Sequence, residues 1–148
     1  KHLRGKIGRQ RRSVLLYIAA LLHDIAKKET IVRHAGKTMC PGHEKLGGVK
    51  ARRILERFDL TPKEIAFVAD IVKYHGIGHR IPTQTFQEIQ DAFGIFPRTL
   101  RHIALELTLL VYADTVGSYL KKTHLEEYRL RIRAYNAAMV EAFSGRAV

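Results

Sequence analysis

Residues 21–27 read Leu-Leu-His-Asp-Ile-Ala-Lys, an imidazole beside a carboxylate inside an apolar run, with a lysine one turn further on. Burying such groups without partners costs roughly 2–7 kcal/mol, so something must satisfy them. A divalent cation satisfies a His and an Asp together; a core histidine hydrogen-bonded to its neighbour is the plainer alternative. The doublet does not stand alone. Pro41-Gly42-His43-Glu44, Lys73-Tyr74-His75-Gly76 and Val111-Tyr112-Ala113-Asp114 each put a metal-competent side chain within, or at the end of, a segment that reads as helical. Imidazole nitrogen and carboxylate oxygen together suit one or two ions of the Mn, Ni, Fe, Co, Zn or Mg kind.

These residues need elements to hold them, and the periodicity predicts helices throughout. Ser13–Lys27 is apolar nearly all round, as a central buried helix would be. Adjacent residues on such a helix point about 100° apart, so His23 and Asp24 share one focus only if the carboxylate reaches across, as an Asp bridging two ions would. Residues 28–42 carry Gly36, Pro41 and Gly42 without periodicity and read as a loop. A helix over His43–Phe58 is expected to show Leu46, Val49, Ile54, Leu55 and Phe58 on a broad apolar face. His43 then opens that helix, where the backbone amides favour an anionic phosphate. Thr61, Pro62 and Glu64 spell an N-cap, a first-turn proline and a capping box for a helix running to about Tyr74, with His75 at its end. Thr85 with Glu88 caps a short helix bearing Phe86, Ile89 and Phe93. Pro97 and Thr99 open a long apolar helix that delivers Asp114 near its far end, and Thr123 with Glu126 caps the last helix. The expected fold is an all-α bundle of about five to seven helices.

Length and composition bound the rest. At 148 residues the chain is expected to be one domain. It begins with Lys1 rather than Met, so a piece of a longer protein is expected. No apolar stretch approaches the roughly 18 residues of a membrane span, and Cys40 alone excludes a disulfide framework or a cysteine-rich zinc site. A cytoplasmic setting is expected. The formal net charge is +12, with Lys1, Arg4, Lys6, Arg9, Arg11 and Arg12 crowding one end and Arg129, Arg131 and Arg133 near the other. Such an excess favours phosphate-rich partners through counterion release. There is no nucleophile elbow, no Walker loop and no dinucleotide fingerprint.

The chain resembles the HD superfamily of metal-dependent phosphohydrolases, on four blocks between about Arg11 and Leu120. They are Ala19-Ala20-Leu21-Leu22-His23-Asp24-Ile25-Ala26-Lys27, Gly42-His43-Glu44-Lys45-Leu46-Gly47, Leu60-Thr61-Pro62-Lys63-Glu64-Ile65 leading to Val72-Lys73-Tyr74-His75, and Tyr112-Ala113-Asp114-Thr115-Val116-Gly117. The Gly-His-Glu and Ala-Asp blocks draw the resemblance toward the HD domain that follows the catalytic head of tRNA nucleotidyltransferases and bacterial poly(A) polymerases. The resemblance implies an HD-type helical bundle. It also implies a metal site of His23, Asp24 and Asp114, with His43 and His75 available for a second ion. The family supplies one more histidine ahead of the doublet; within this chain His2 is the candidate, and otherwise it would precede Lys1. No nucleotidyltransferase head is present in these residues.

Two functions follow as expectations. One is a metal-dependent phosphohydrolase acting on nucleotide or RNA-terminal phosphates, tRNA among the expected partners, with Asp24 catalytic and Lys27 placed to neutralise phosphate charge. The other is a non-catalytic RNA-binding module serving a nucleotidyltransferase head. Glu44 could assist a bound histidine and His79 is a secondary ligand candidate. His34, His102 and His124 lack supporting neighbours and are expected to be structural or exposed.

Overall fold

The computed structural model describes residues 2–80 and 98–143, and it is helical apart from two short hairpins. The chain divides into two compact units, Lys1–His75 and Gly76–Val148. The first contains a 3-10 turn His2–Arg4, a hairpin of β1 (Lys6–Ile7) and β2 (Gln10–Arg11), and helix α1 (Arg12–Leu22). There follow the short helix α2 (Lys27–Thr30), a second hairpin of β3 (Val32–His34) and β4 (Lys37–Met39), then α3 (His43–Leu55) and α4 (Pro62–Tyr74). A 3-10 segment over His75–Arg80 begins at the last residue of the first unit; the second unit holds a further one over Arg98–Ile103, then α5 (Ala104–Gly117), α6 (Leu120–Thr123) and α7 (Leu125–Phe143). No helix among the described residues is long and apolar enough to cross a membrane.

Helix α4 organises the first unit. It starts as the sequence predicts: the Glu64 amide donates to Thr61 Oγ1 (3.4 Å), the Thr61 amide donates to Glu64 Oε2 (2.6 Å), and Pro62 sits in the first turn. Glu64 is fully buried and does more than cap, because its Oε1 also accepts from the amides of Arg9 (2.6 Å) and Gln10 (2.7 Å). Burial by itself would push this carboxyl up, but the bonds from Thr61, Gln10 and Arg9 outweigh it and hold its pKa below the usual value. The first hairpin is thereby pinned to the start of α4. Gly8 makes the approach possible: its φ is +60°, and a Cβ there would stand 2.6 Å from Thr61 Oγ1 and 2.9 Å from Glu64 Oε1.

Helix α4 packs against α3 and α1, with Ile65, Val68, Ile71 and Val72 inside. Three expectations are corrected here. The helix expected over Ser13–Lys27 ends at Leu22; a turn carries residues 23–26, and α1 buries Leu15 and Ala19 while Tyr17 and Leu21 stand exposed at 73% and 84%. The expected loop at 28–42 contains α2 and the second hairpin, whose two-residue turn Ala35-Gly36 has both φ positive (48° and 75°), the geometry that suits strand twist. Its strands are three residues long and exposed throughout, so they carry no alternation to read.

The third correction concerns α3, which buries Leu55 of the expected face but otherwise small residues. Gly47, Gly48, Ala51 and Leu55 face inward, whereas Leu46, Val49 and, beyond the helix end, Phe58 are exposed. The reason is close approach. A Cβ at Gly48 would lie 2.9 Å from Lys73 Cβ and 3.1 Å from the Ala69 carbonyl oxygen; one at Gly47 would lie 3.2 Å from Val72 Cγ1 and 3.6 Å from the His23 carbonyl oxygen. The two glycines let α3 settle against both α4 and the end of α1.

In the second unit α5 packs on α7 through Val111, Ala134 and Tyr135, with Tyr112 and Leu130 alongside. Thr123, expected as an N-cap, lies within α6 and its hydroxyl donates back to the Tyr119 carbonyl (3.1 Å). The helix expected from Thr85 lies outside the described residues, as does Pro97.

Candidate metal centre

Two helix ends and one helix start converge in the first unit. His23 is the C-cap of α1, His75 is the C-cap of α4, and His43 opens α3 behind the left-handed Gly42 (φ 75°). The last carbonyls of a helix have no intrahelical partner, and both C-cap histidines use one: His23 Nδ1 donates to the Ala20 carbonyl and His75 Nδ1 to the Val72 carbonyl, each at 2.7 Å. His43 Nδ1 donates to the Cys40 carbonyl at 2.7 Å, with Glu44 Oε2 3.4 Å from the same nitrogen. A carbonyl oxygen can only accept, so Nδ1 carries the proton in all three rings. In the neutral imidazole each Nε2 therefore presents its lone pair.

Those lone pairs meet. His43 Nε2 and His75 Nε2 are 3.3 Å apart, and Asp24 Oδ1 stands 3.5 Å from the first and 3.8 Å from the second. Asp24 Oδ1 is buried and accepts no hydrogen bond. The ligand-capable atoms of Asp24, His43 and His75 all lie within 4.8 Å of one another. Two imidazole lone pairs and a carboxylate oxygen at these distances repel unless a cation lies among them, and the ends of α1 and α4 add their own partial negative charge. The donor set fits a divalent ion of borderline character.

The other oxygen of Asp24 faces elsewhere. Lys27 Nζ donates to Oδ2 at 2.7 Å, and His23 Nε2 is 3.3 Å from it. Burial would raise the Asp24 pKa, but the His23 ring when protonated, with its Nε2–H toward Oδ2, and the Lys27 ammonium outweigh that and hold the carboxyl well below the usual carboxylate range. The His23 ring stands edge-on to His75 with centroids 5.2 Å apart, so it flanks the trio. Asp114 is on α5 of the second unit, half-buried. His2 lies exposed in the 3-10 turn His2–Arg4, and His79 lies in the segment His75–Arg80. His34, His102 and His124 are exposed.

The sequence motifs did not reveal the orienting carbonyls of Ala20, Cys40 and Val72, because backbone acceptors leave no mark in residue type. The one available signal was position: a histidine just past a helix end has an orphan carbonyl three residues back.

A helical unit that gathers a histidine–aspartate doublet and two further histidines at helix termini defines a class of protein built around a metal-competent centre. The profile described as HD domain matches residues 1–117, and the chain belongs to that family. Membership implies a metal-dependent phosphohydrolase. No curated protein and no solved structure matches the chain.

Proposed function

We propose that this chain hydrolyses phosphoesters at nucleotide or RNA-terminal phosphates, with a divalent ion held by Asp24, His43 and His75 and with His23 beside them. The observation that carries this reading is the 3.3 Å approach of the His43 and His75 Nε2 atoms, each with its Nδ1 committed to a carbonyl, beside the buried Asp24 Oδ1. An ion bound there supplies Lewis-acid polarisation of a phosphoryl oxygen and acidifies water. The chain's own residues do the rest. Lys27 keeps Asp24 ionised and orients its carboxylate, and its ammonium, 2.7 Å from Oδ2, is a cation beside the centre for phosphate charge. The start of α3 offers backbone amides to an anionic group.

Supporting an RNA-processing setting are the Gly42-His43-Glu44 and Ala113-Asp114 motifs, which resemble those of the tRNA nucleotidyltransferase and poly(A) polymerase branch. The test is release of phosphate from a nucleoside monophosphate, or opening of a 2′,3′-cyclic phosphate, with each of Mn, Ni, Co and Mg in turn. Metal-stimulated turnover that disappears in Asp24→Ala is expected. Absence of turnover with every metal, in protein that binds RNA, would replace this reading with that of a binding module.

A further inference from the structure

Helix α3 has a second face that the metal centre does not use. His43 turns its ring to the centre, and Gly47, Gly48, Ala51 and Leu55 are buried on the inner side. Lys45, Val49 and Arg53 follow at intervals of four residues, all exposed, and form one ridge along the outer side, which exposed Arg57 continues in the turn just past the helix end. Arg52 lies beside it. Among the described residues none of Lys45, Arg52, Arg53 and Arg57 has an ion pair, while Lys50 is bound to Glu29. Glu56 is the one acid between Lys45 and Arg57.

Helix preference does not account for this face. The dipole favours cations in the last turn, which covers Arg52 and Arg53, but it disfavours Lys45 in the first turn, and Arg53 with Arg57 is a like-charged pair one turn apart. Several basic residues elsewhere are engaged: Arg9 with Asp59 (2.7 Å), Arg12 over the Phe67 ring (4.9 Å), Arg129 with Glu126 (2.8 Å) and Arg131 with Glu127 (2.7 Å). The ridge places unneutralised cations of a chain of net charge +12 on the very helix that His43 opens at the metal centre.

We infer that this ridge is a track for a single strand of nucleic acid whose terminal phosphate reaches the centre, which makes the substrate a polynucleotide end rather than a free mononucleotide. The inference rests on the phosphohydrolase reading of the same site. From Lys45 to Arg53 the helical part of the ridge is roughly 12 Å long at 1.5 Å per residue, with Arg57 in the turn beyond it, enough for successive phosphates of a strand, whereas a mononucleotide spans only part of it. Phe58, 63% exposed at the far end, offers a ring on which a base can stack. An anionic membrane fits less well, because the exposed apolar surface of α3 is limited to Leu46 and Val49, with Lys45 and Arg53 one turn either side of Val49, and does not extend into the continuous apolar face that interfacial helices bury.

The test is anisotropy of a labelled single-stranded oligouridylate with the whole chain, in chelator, so that binding is read without the metal. Arg53→Glu with Arg57→Glu should weaken binding at least about tenfold and lower the salt slope by about 1.4, at roughly 0.7 per lost phosphate contact. The pair Arg53→Gln and Arg57→Gln should act in the same direction with less risk to folding, Arg129→Gln should leave binding alone, and uridine monophosphate should compete poorly. Unchanged affinity and slope in both ridge pairs would overturn the inference, as would equal competition by the mononucleotide. Loss of binding to phosphatidylserine vesicles with oligonucleotide affinity intact would assign the ridge to a membrane instead. Metal uptake by the same preparation separates the two readings. Ridge-dependent RNA binding without metal uptake overturns the hydrolase and keeps the track, and metal uptake with ridge-independent binding overturns the track alone.

Discussion

Asp24 gives its two oxygens different work: Oδ2 takes the Lys27 ammonium, and Oδ1 faces the Nε2 atoms of His43 and His75. Lys27 thus acts on the centre through the carboxylate it holds. Outer partners of this kind typically cost roughly 10–100-fold in metal affinity or activity when removed, so Lys27→Ala should weaken metal binding by about that factor in a chelator competition. Unchanged affinity would show that the ion pair orients nothing. The histidines and Asp24 were legible from residue type, since an imidazole and a carboxylate in an apolar run demand a partner. The sharing of roles was not. It depends on the turn over residues 23–26, which replaces the expected continuous helix and brings His23 and Asp24 to one region.

Among the elements, α4 was readable end to end because its signals are local: a capping box, a first-turn proline and apolar residues at helical spacing. Helix α3 was read correctly at Leu55 and wrongly at its first turns, because hydrophobic periodicity favours Leu46 and Val49 while the contact there is made by glycines, whose contribution is the absence of a side chain. Gly48→Ala puts a Cβ against Lys73 Cβ and the Ala69 carbonyl, neither of which can swing aside. The overpacking, about 1–3 kcal/mol, should exceed the roughly 1 kcal/mol that alanine gains in a helix interior. Denaturant unfolding should show a net loss of stability together with weaker metal binding; a stabilised variant would contradict the close packing. Glu64 supplies a second check. Its folded pKa lies below its value in the unfolded chain, so its contribution is complete above the ordinary glutamate range and fades as pH falls through and below it. Glu64→Gln removes an acceptor from buried amides and should cost about 1–3 kcal/mol near neutral pH. It should also flatten the loss of stability on acidification. A wild-type slope retained in the variant would place the acid sensitivity elsewhere.

For the whole molecule, the all-α class was legible and the hairpins were not, since strands of two or three exposed residues leave no alternation. The family match runs over residues 1–117 and so includes Asp114 along with the trio of the first unit. A ligand that binds only the folded state stabilises it by about 2.7 kcal/mol at a hundred times its Kd, so a divalent metal at saturation should raise the melting temperature, and Asp24→Ala should abolish the shift. The central claim is that Asp24, His43 and His75 hold a metal ion, and elemental analysis of the purified chain after dialysis against Mn, Ni, Co, Zn or Mg tests it most directly. The account predicts a divalent metal in the wild type and in His102→Ala, and its loss in Asp24→Ala; equal metal content in all three, or none in any, would contradict it.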